Sequence, residues 1–123
     1  MKLPDLPANE LQRLQRLRKL RLLDTGADDI LDGFARLAAA VTGQPIALVS
    51  LLDAERQFFK SAIGMEQGGG TPRQFAFCAY AICQQDILEV PDAREDERFA
   101  GNPHVIGAPH IVSYAGMPLR MPA

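Results

Sequence analysis

The chain has 123 residues, 47% hydrophobic and 23% charged, with a formal net charge of −2 and a sequence pI of about 5.6. That is enough for one globular domain with a single core, and it excludes the global basic surplus that a nucleic-acid backbone or an anionic membrane would select. No nucleic-acid or membrane partner is expected.

Residues 1–8 carry two prolines and no periodicity and are read as an extended tail, with the domain proper at 9–123. The start has no apolar signal-peptide core, which predicts a cytoplasmic protein. From Asn9, a residue type that caps helices, Leu11, Leu14, Leu17 and Leu20 recur every third position among Arg13, Arg16, Arg18, Lys19 and Arg21, predicting a helix. Spacing by three drifts around a 3.6-residue turn, so these leucines spread over more surface than one face buries. They are the candidate dimer contact, set against a plain helix that is partly packed and partly solvated.

Thr25 to Asp28 reads as the start of a second helix, with Thr25 as cap and Asp28 near its positive end. Ile30, Phe34, Leu37 and Val41 form an apolar stripe, with Leu31 and Ala38 beside it, and the stripe is expected to pack on a sheet. Gly43 supplies a left-handed stop before Pro45. The near-continuous apolar run Ile46 to Leu52 predicts a central strand covered on both faces. A polar turn, 53–56, leads into a more exposed strand, Gln57 to Ile63, completing a hairpin.

Gly64 to Thr71, with its triple glycine, predicts a loop; it lacks the Lys and Ser/Thr that a phosphate-binding P-loop requires. A short helix is expected around Phe77 to Ile82, a brief strand at Leu88 to Val90, a charged turn from Asp92 to Phe99, and a strand from Ile111 to Leu119. Cys78 and Cys83 are expected as thiols, because five positions on a helix set them about 140° apart and the compartment is reducing. Neither the cysteines nor His104 and His110 show the ligand spacing of a zinc site, and no catalytic residue is assigned. The carboxylates of the 92–97 segment alternate with Arg94 and Arg98, which favours local pairing over acid–base chemistry.

The series Phe77-Cys78-Ala79-Tyr80-Ala81-Ile82, Val90-Pro91-Asp92-Ala93, 96–103 and Tyr114-Ala115-Gly116-Met117-Pro118-Leu119 resembles the GAF domain of bacterial signalling proteins. The similarity starts near Asn9 and includes Leu22 to Thr25 and 45–53. It implies an α+β fold, an antiparallel sheet flanked by helices. It also implies a C-terminally truncated form, since members usually continue beyond the Pro-Leu of the last strand into a further apolar strand lying between the strands at 46–52 and 111–119.

The resemblance further implies a non-enzymatic sensory or regulatory domain. Its expected partners are a second copy in a homodimer, a small-molecule effector of unknown identity, and a downstream signalling protein. Phe77, Cys78, Tyr80, Asp92, Phe99 and Tyr114 are the candidate ligand-binding residues, because their segments would overhang the sheet. Each is also a candidate for simple core. The alternatives are a dimerisation module without ligand and an enzyme like the free methionine sulfoxide reductases of the same family, which use several loop cysteines. Relatives commonly place Ser where this chain has Ala76, so the following helix is expected to start without a side-chain cap.

Overall fold

The computed structural model describes residues 2–120; Met1 and residues 121–123, at the limits of the tail and domain assigned above, lie outside the described residues. The chain forms two compact units, one built from 9–73 and the other from residues 74–120 together with 2–8.

In the first unit, helix α1 (Glu10–Leu20) is followed by α2 (Asp29–Thr42) and a three-stranded antiparallel sheet of β1 (Ala47–Leu52), β2 (Arg56–Ile63) and β3 (Gly70–Pro72), in the order β1-β2-β3. The hairpin at 46–63 therefore forms, but its exposure is the reverse of the expectation: β1 is half-buried up to Leu51, with only Leu52 buried, whereas 57–61 of β2 is buried throughout. Central placement of β1 does not hold either: among the described residues β1 pairs only with β2 and stands at the sheet edge. An unbroken apolar run reports burial on two faces but not which neighbours supply the ladder.

The start of α2 also differs in detail from the expectation. Asp28, not Thr25, caps it, accepting from the amides of Ile30 and Leu31 at 3.0 Å each. Thr25 instead donates to the carbonyl of Leu22 and accepts from the ammonium of Lys60. At the other end Gly43, at φ 68°, closes the helix through its amide to the carbonyl of Ala39, the left-handed position that glycine adopts without a Cβ penalty.

The stripe of α2 runs opposite to expectation. Ala35 is buried and Asp32 accepts from the Ser61 hydroxyl at 2.6 Å, so the sheet receives the small and polar side of the helix. Ile30, Phe34, Leu37 and Val41 remain 73%, 59%, 59% and 77% exposed. Periodicity finds a stripe; it does not say which side of a helix with small residues opposite will meet the sheet first.

The β1–β2 register slips between Val49 and Ser50, which leaves Lys60 as the extra residue of a bulge between the Ser50↔Phe59 and Val49↔Ser61 pairs. Lys60 is buried there, its ammonium donating to Thr25 Oγ1 and the Gly26 carbonyl. Gly70 lies so close to the carbonyl of Gln57 across the β2–β3 ladder that a Cβ at this position has no room.

Glu10, in the first turn of α1, bridges two guanidinium groups, Arg13 at 2.6 Å and the buried Arg73 at 2.5 Å. Arg13 also donates to the Leu52 carbonyl and Arg73 to the Asp53 carbonyl, tying α1 to the β1–β2 turn. Burial pushes the Glu10 carboxyl up, but the hydrogen bonds from Arg13 and Arg73 outweigh it and hold the group below its ordinary 4.5.

In the second unit, a 3₁₀ turn at 73–75 leads to α3 (Cys78–Ala81), β4 (Leu88–Val90), α4 (Pro103–Ile106) and β5 (Tyr114–Gly116), with β4 and β5 antiparallel. The strand predicted at 111–119 is thus three residues long. Phe77 occupies the cap position of α3 without a side-chain cap bond, in line with Ala76 preceding it, and the helix is a single turn. Asn102 is buried and joins two segments: its Oδ1 caps α4 by accepting from the His104 amide at 2.8 Å, and its Nδ2 donates to the Phe75 carbonyl at 2.9 Å.

A carboxyl whose folded pKa is depressed contributes stability above its unfolded pKa and loses it as pH falls through the folded value. Denaturant titrations from pH 7 down to pH 3 are therefore expected to show the parent losing stability below about pH 4.5 more steeply than Glu10→Gln, which is less stable at pH 7 but lacks this component. Parallel curves remove Glu10 from the acid transition. Asp28→Ala is expected to cost about 1 kcal/mol at pH 7 in the same assay.

Candidate functional site

Five of the six candidate ligand residues come together in the second unit. Phe77 and Phe99 stack with centroids 4.1 Å apart and planes 6° from parallel, Tyr114 tilts against Phe77 at 5.1 Å, and Tyr80 meets Phe99 edge-on at 4.8 Å. Phe77 and Phe99 are buried among Ala81, Leu88, Val90, Ala93 and Val105, with Tyr80, Ile111 and Tyr114 packed around them. Cys78 begins α3 and is half-buried. Side chains from α3, the turn before α4 and β5 thus meet in one aromatic core, because each segment contributes an aromatic residue where its backbone turns inward.

Two phenols in this core are raised above the usual tyrosine range. For Tyr114 burial is the main cause, with the nearby Cys78 thiol adding to it. Burial also raises Tyr80, partly opposed by Arg98, and among the described residues its hydroxyl is buried without a hydrogen-bond partner. A buried hydroxyl left unpaired carries a desolvation cost of about 1–3 kcal/mol, so Tyr80 presents a polar group with unspent hydrogen-bonding capacity.

Asp92, the sixth candidate, lies on the turn after β4 and is committed to Arg94. Its Oδ1 accepts from the Arg94 amide at 3.0 Å and from Nε at 2.9 Å, and its Oδ2 from Nη2 at 2.8 Å. Four residues on, Asp96 holds Arg98 by the same three contacts, at 2.9, 3.0 and 2.8 Å. The Arg hydrogen bonds hold both carboxyls below the usual aspartate range. The charged segment is a pair of self-closed turns, and Arg98 also lies over the Phe99 ring at 5.1 Å.

Of the four candidate dimer leucines, Leu14 and Leu17 are buried, while Leu11 and Leu20 are 71% and 40% exposed. The described residues also hold an open groove of about 650 Å³ in the first unit, lined by 53–57 of the β1–β2 turn and 68–72 of the glycine loop and β3. The sequence marks the loop at 64–71, of which Gly70 and Thr71 instead enter β3, but not the groove, whose lining from Asp53, Glu55, Arg56 and Gln57 comes together only through the hairpin. Sequence reading likewise missed Arg73, Lys60 and Asn102. Only Asn102 carried a signal, the Asn-Pro pair of a capped helix start.

Among the described residues, no group of three or more His, Cys, Asp or Glu side chains is placed to hold a metal ion, and no helix is long and apolar enough to cross a membrane.

The packing predicts a sharp contrast on mutation. Phe99→Ala is expected to destabilise the fold by about 3–5 kcal/mol in urea unfolding, the range for deleting a buried aromatic. Asp92→Asn, on an exposed turn, is expected to leave the unfolding midpoint nearly unchanged. A Phe99→Ala protein as stable as the parent shows that the rings enclose a cavity and not a packed core.

The GAF domain family matches residues 26–121 of this chain. The chain is also 43% identical over 119 residues to a cyclic di-GMP phosphodiesterase of Pseudomonas aeruginosa, an alignment that covers 97% of this chain and 20% of that protein's length. Helices around antiparallel sheets, the Phe77-to-Phe99 motif series assembled in one core, and the extent of the family match agree: the chain belongs to the GAF domain family, with a sensory or regulatory role in signal transduction.

Proposed function

We propose that this GAF domain is a non-enzymatic regulator of cyclic di-GMP hydrolysis, acting through a small effector or through protein association. The observation that carries this reading is the 43% identity along nearly the whole chain to a segment making up 20% of a cyclic di-GMP phosphodiesterase. A segment of that size in a much longer enzyme fits a controlling module better than the catalytic one.

The chemistry of the side chains supports the same view. Asp92 and Asp96 are each held by a neighbouring arginine, which favours local pairing over acid–base chemistry, and Phe77, Phe99 and Tyr114 are engaged with one another. Tyr80, with its unpaired hydroxyl, is the candidate position for contact with an effector, flanked by Cys78. A cytoplasmic setting and a downstream catalytic partner complete the reading.

The test is exchange. With this chain in place of the matching segment of the Pseudomonas protein, cyclic di-GMP hydrolysis is expected to persist and to differ from that of the same protein with the segment deleted, while the 123-residue chain alone hydrolyses none. Native mass spectrometry of the purified chain separates the two routes: a stoichiometric small molecule supports effector binding, and a ligand-free dimer supports association. Cys78→Ser with Cys83→Ser is expected to change neither result. Cyclic di-GMP hydrolysis by the isolated chain, or free methionine sulfoxide reduction that this double variant abolishes, overturns the non-enzymatic assignment.

A further inference from the structure

Residues 2–8 belong to the same compact unit as 74–120 and form neither helix nor strand. Pro4 and Pro7 have their own φ fixed by their rings, and they bias the preceding Leu3 and Leu6 toward extended backbone, so the segment favours polyproline II. That helix turns once in about three residues and has three sides, which here carry Pro4 and Pro7, Leu3 and Leu6, and Lys2, Asp5 and Ala8. Burial selects one of them. Pro4 and Pro7 are half-buried, whereas Leu3 and Leu6 are 58% and 66% exposed and Lys2, Asp5 and Ala8 are exposed as well. A tail held by apolar content alone would turn its leucines inward. This one is seated by the shape of its prolines.

Its seat lies at the end of α3. The Cys83 thiol is 3.4 Å from the Asp5 carbonyl and 3.5 Å from the Ala79 carbonyl, and its one hydrogen is shared between them. Three positions earlier, the Tyr80 phenol is raised chiefly by burial, and the Asp5 carboxylate adds to that. The polar groups offered here, the Tyr80 O–H and the Cys83 S–H, are both donors. A polyproline II segment has no internal hydrogen bonds, so its carbonyls are free to meet them. The tail meets one: among the described residues the Tyr80 hydroxyl stays buried and unpaired.

We propose that the surface at Tyr80 and Cys83 is a docking site for an extended segment of a partner protein with two prolines three positions apart, and that residues 2–8 are its displaceable occupant in cis. Aromatic surfaces are the usual receptors of such segments, and the chain's own Pro4-Asp5-Leu6-Pro7 already has the spacing. A partner's advantage is the Tyr80 hydroxyl. A segment whose carbonyl reaches it pairs a buried donor that the tail leaves unpaired. The tail's advantage is its tether, which holds it at an effective concentration of roughly millimolar, so only a segment with better contacts displaces it. The tail of a second copy brings identical contacts and gains nothing over the one in cis.

This inference rests on the reading of Tyr80 as a contact position and gives the association route a partner chemistry. Peptide binding to the chain measures it directly, so its failure leaves the exchange test of cyclic di-GMP hydrolysis untouched.

The experiment is fluorescence anisotropy of labelled peptides titrated with the 123-residue chain, with circular dichroism as the folding control. A peptide of residues 2–8 is expected to bind a Pro4→Ala, Pro7→Ala chain at least tenfold more tightly than the parent, whose own tail occupies the surface. Leu3→Ala with Leu6→Ala is expected to bind it no better than the parent. The same peptide with both prolines replaced by alanine is expected not to bind. Among peptides varied at the two positions between the prolines, at least one is expected to bind the parent tenfold more tightly than the 2–8 peptide does, and to lose that advantage in Tyr80→Phe, which keeps the ring. Equal binding of the 2–8 peptide to the parent and the Pro4/Pro7 variant, a surface opened by the Leu3/Leu6 change, binding of the alanine peptide, or no varied peptide that gains through the Tyr80 hydroxyl overturns the proposal.

Discussion

Arg73 is the side chain on which the first unit turns. Its guanidinium reaches Glu10 of α1 and the carbonyls of Asp53 and Ala54, while its own amide donates to the carbonyl of Glu55, so one residue joins the first helix, the β1–β2 turn and the end of β3. A buried cation costs several kcal/mol of desolvation unless its partners are well placed. That cost fits the two backbone carbonyls, of Asp53 and Ala54, that the turn offers to the guanidinium, and the place of Glu10 at the start of α1, within reach of both Arg13 and Arg73. These side-chain contacts converge on Nη1, while among the described residues Nη2 is buried without a hydrogen-bond partner.

Where the sequence was legible, the physics was local. Gly43 stops α2 because a left-handed residue follows from glycine alone, and the hairpin at 46–63 follows from apolar content, a polar turn and strand length. The short strand at 88–90 and the local pairing of Arg98 were readable for the same reason. The facing of α2 was not, because it depends on which side of the helix fits the sheet. Ala35 permits close approach, Asp32 finds Ser61, and Phe34 is left outside. Lys60 was hidden as well. A lysine in a strand reads as exposed, and only the bulge at Val49/Ser50 turns it toward Thr25 and Gly26.

The candidate site shows the same division. The motif series identified the segments that meet, and Phe77, Tyr80, Phe99 and Tyr114 do meet. What sequence could not tell was whether the rings face a ligand or one another, since both uses call for aromatic residues in the same segments. Ring-to-ring distances of 4.1–5.1 Å show that these rings pack on one another in the described core. The groove at 53–57 and 68–72 had no such signature, because two segments separated in sequence line it together.

The twin Asp-x-Arg turns at 92–94 and 96–98 carry a consequence for how this segment behaves. Each pair closes within three residues, while Ala93 and Phe99 in the same segment are buried in the core and the Ala93 amide donates to the Val112 carbonyl. Opposite charges held at 2.8 Å also cancel at a distance, so the segment adds little to the field that an approaching molecule senses. Such a loop faces two ways: its charges are spent on one another at the surface, and its apolar residues, Ala93 and Phe99, fasten it to the core beneath.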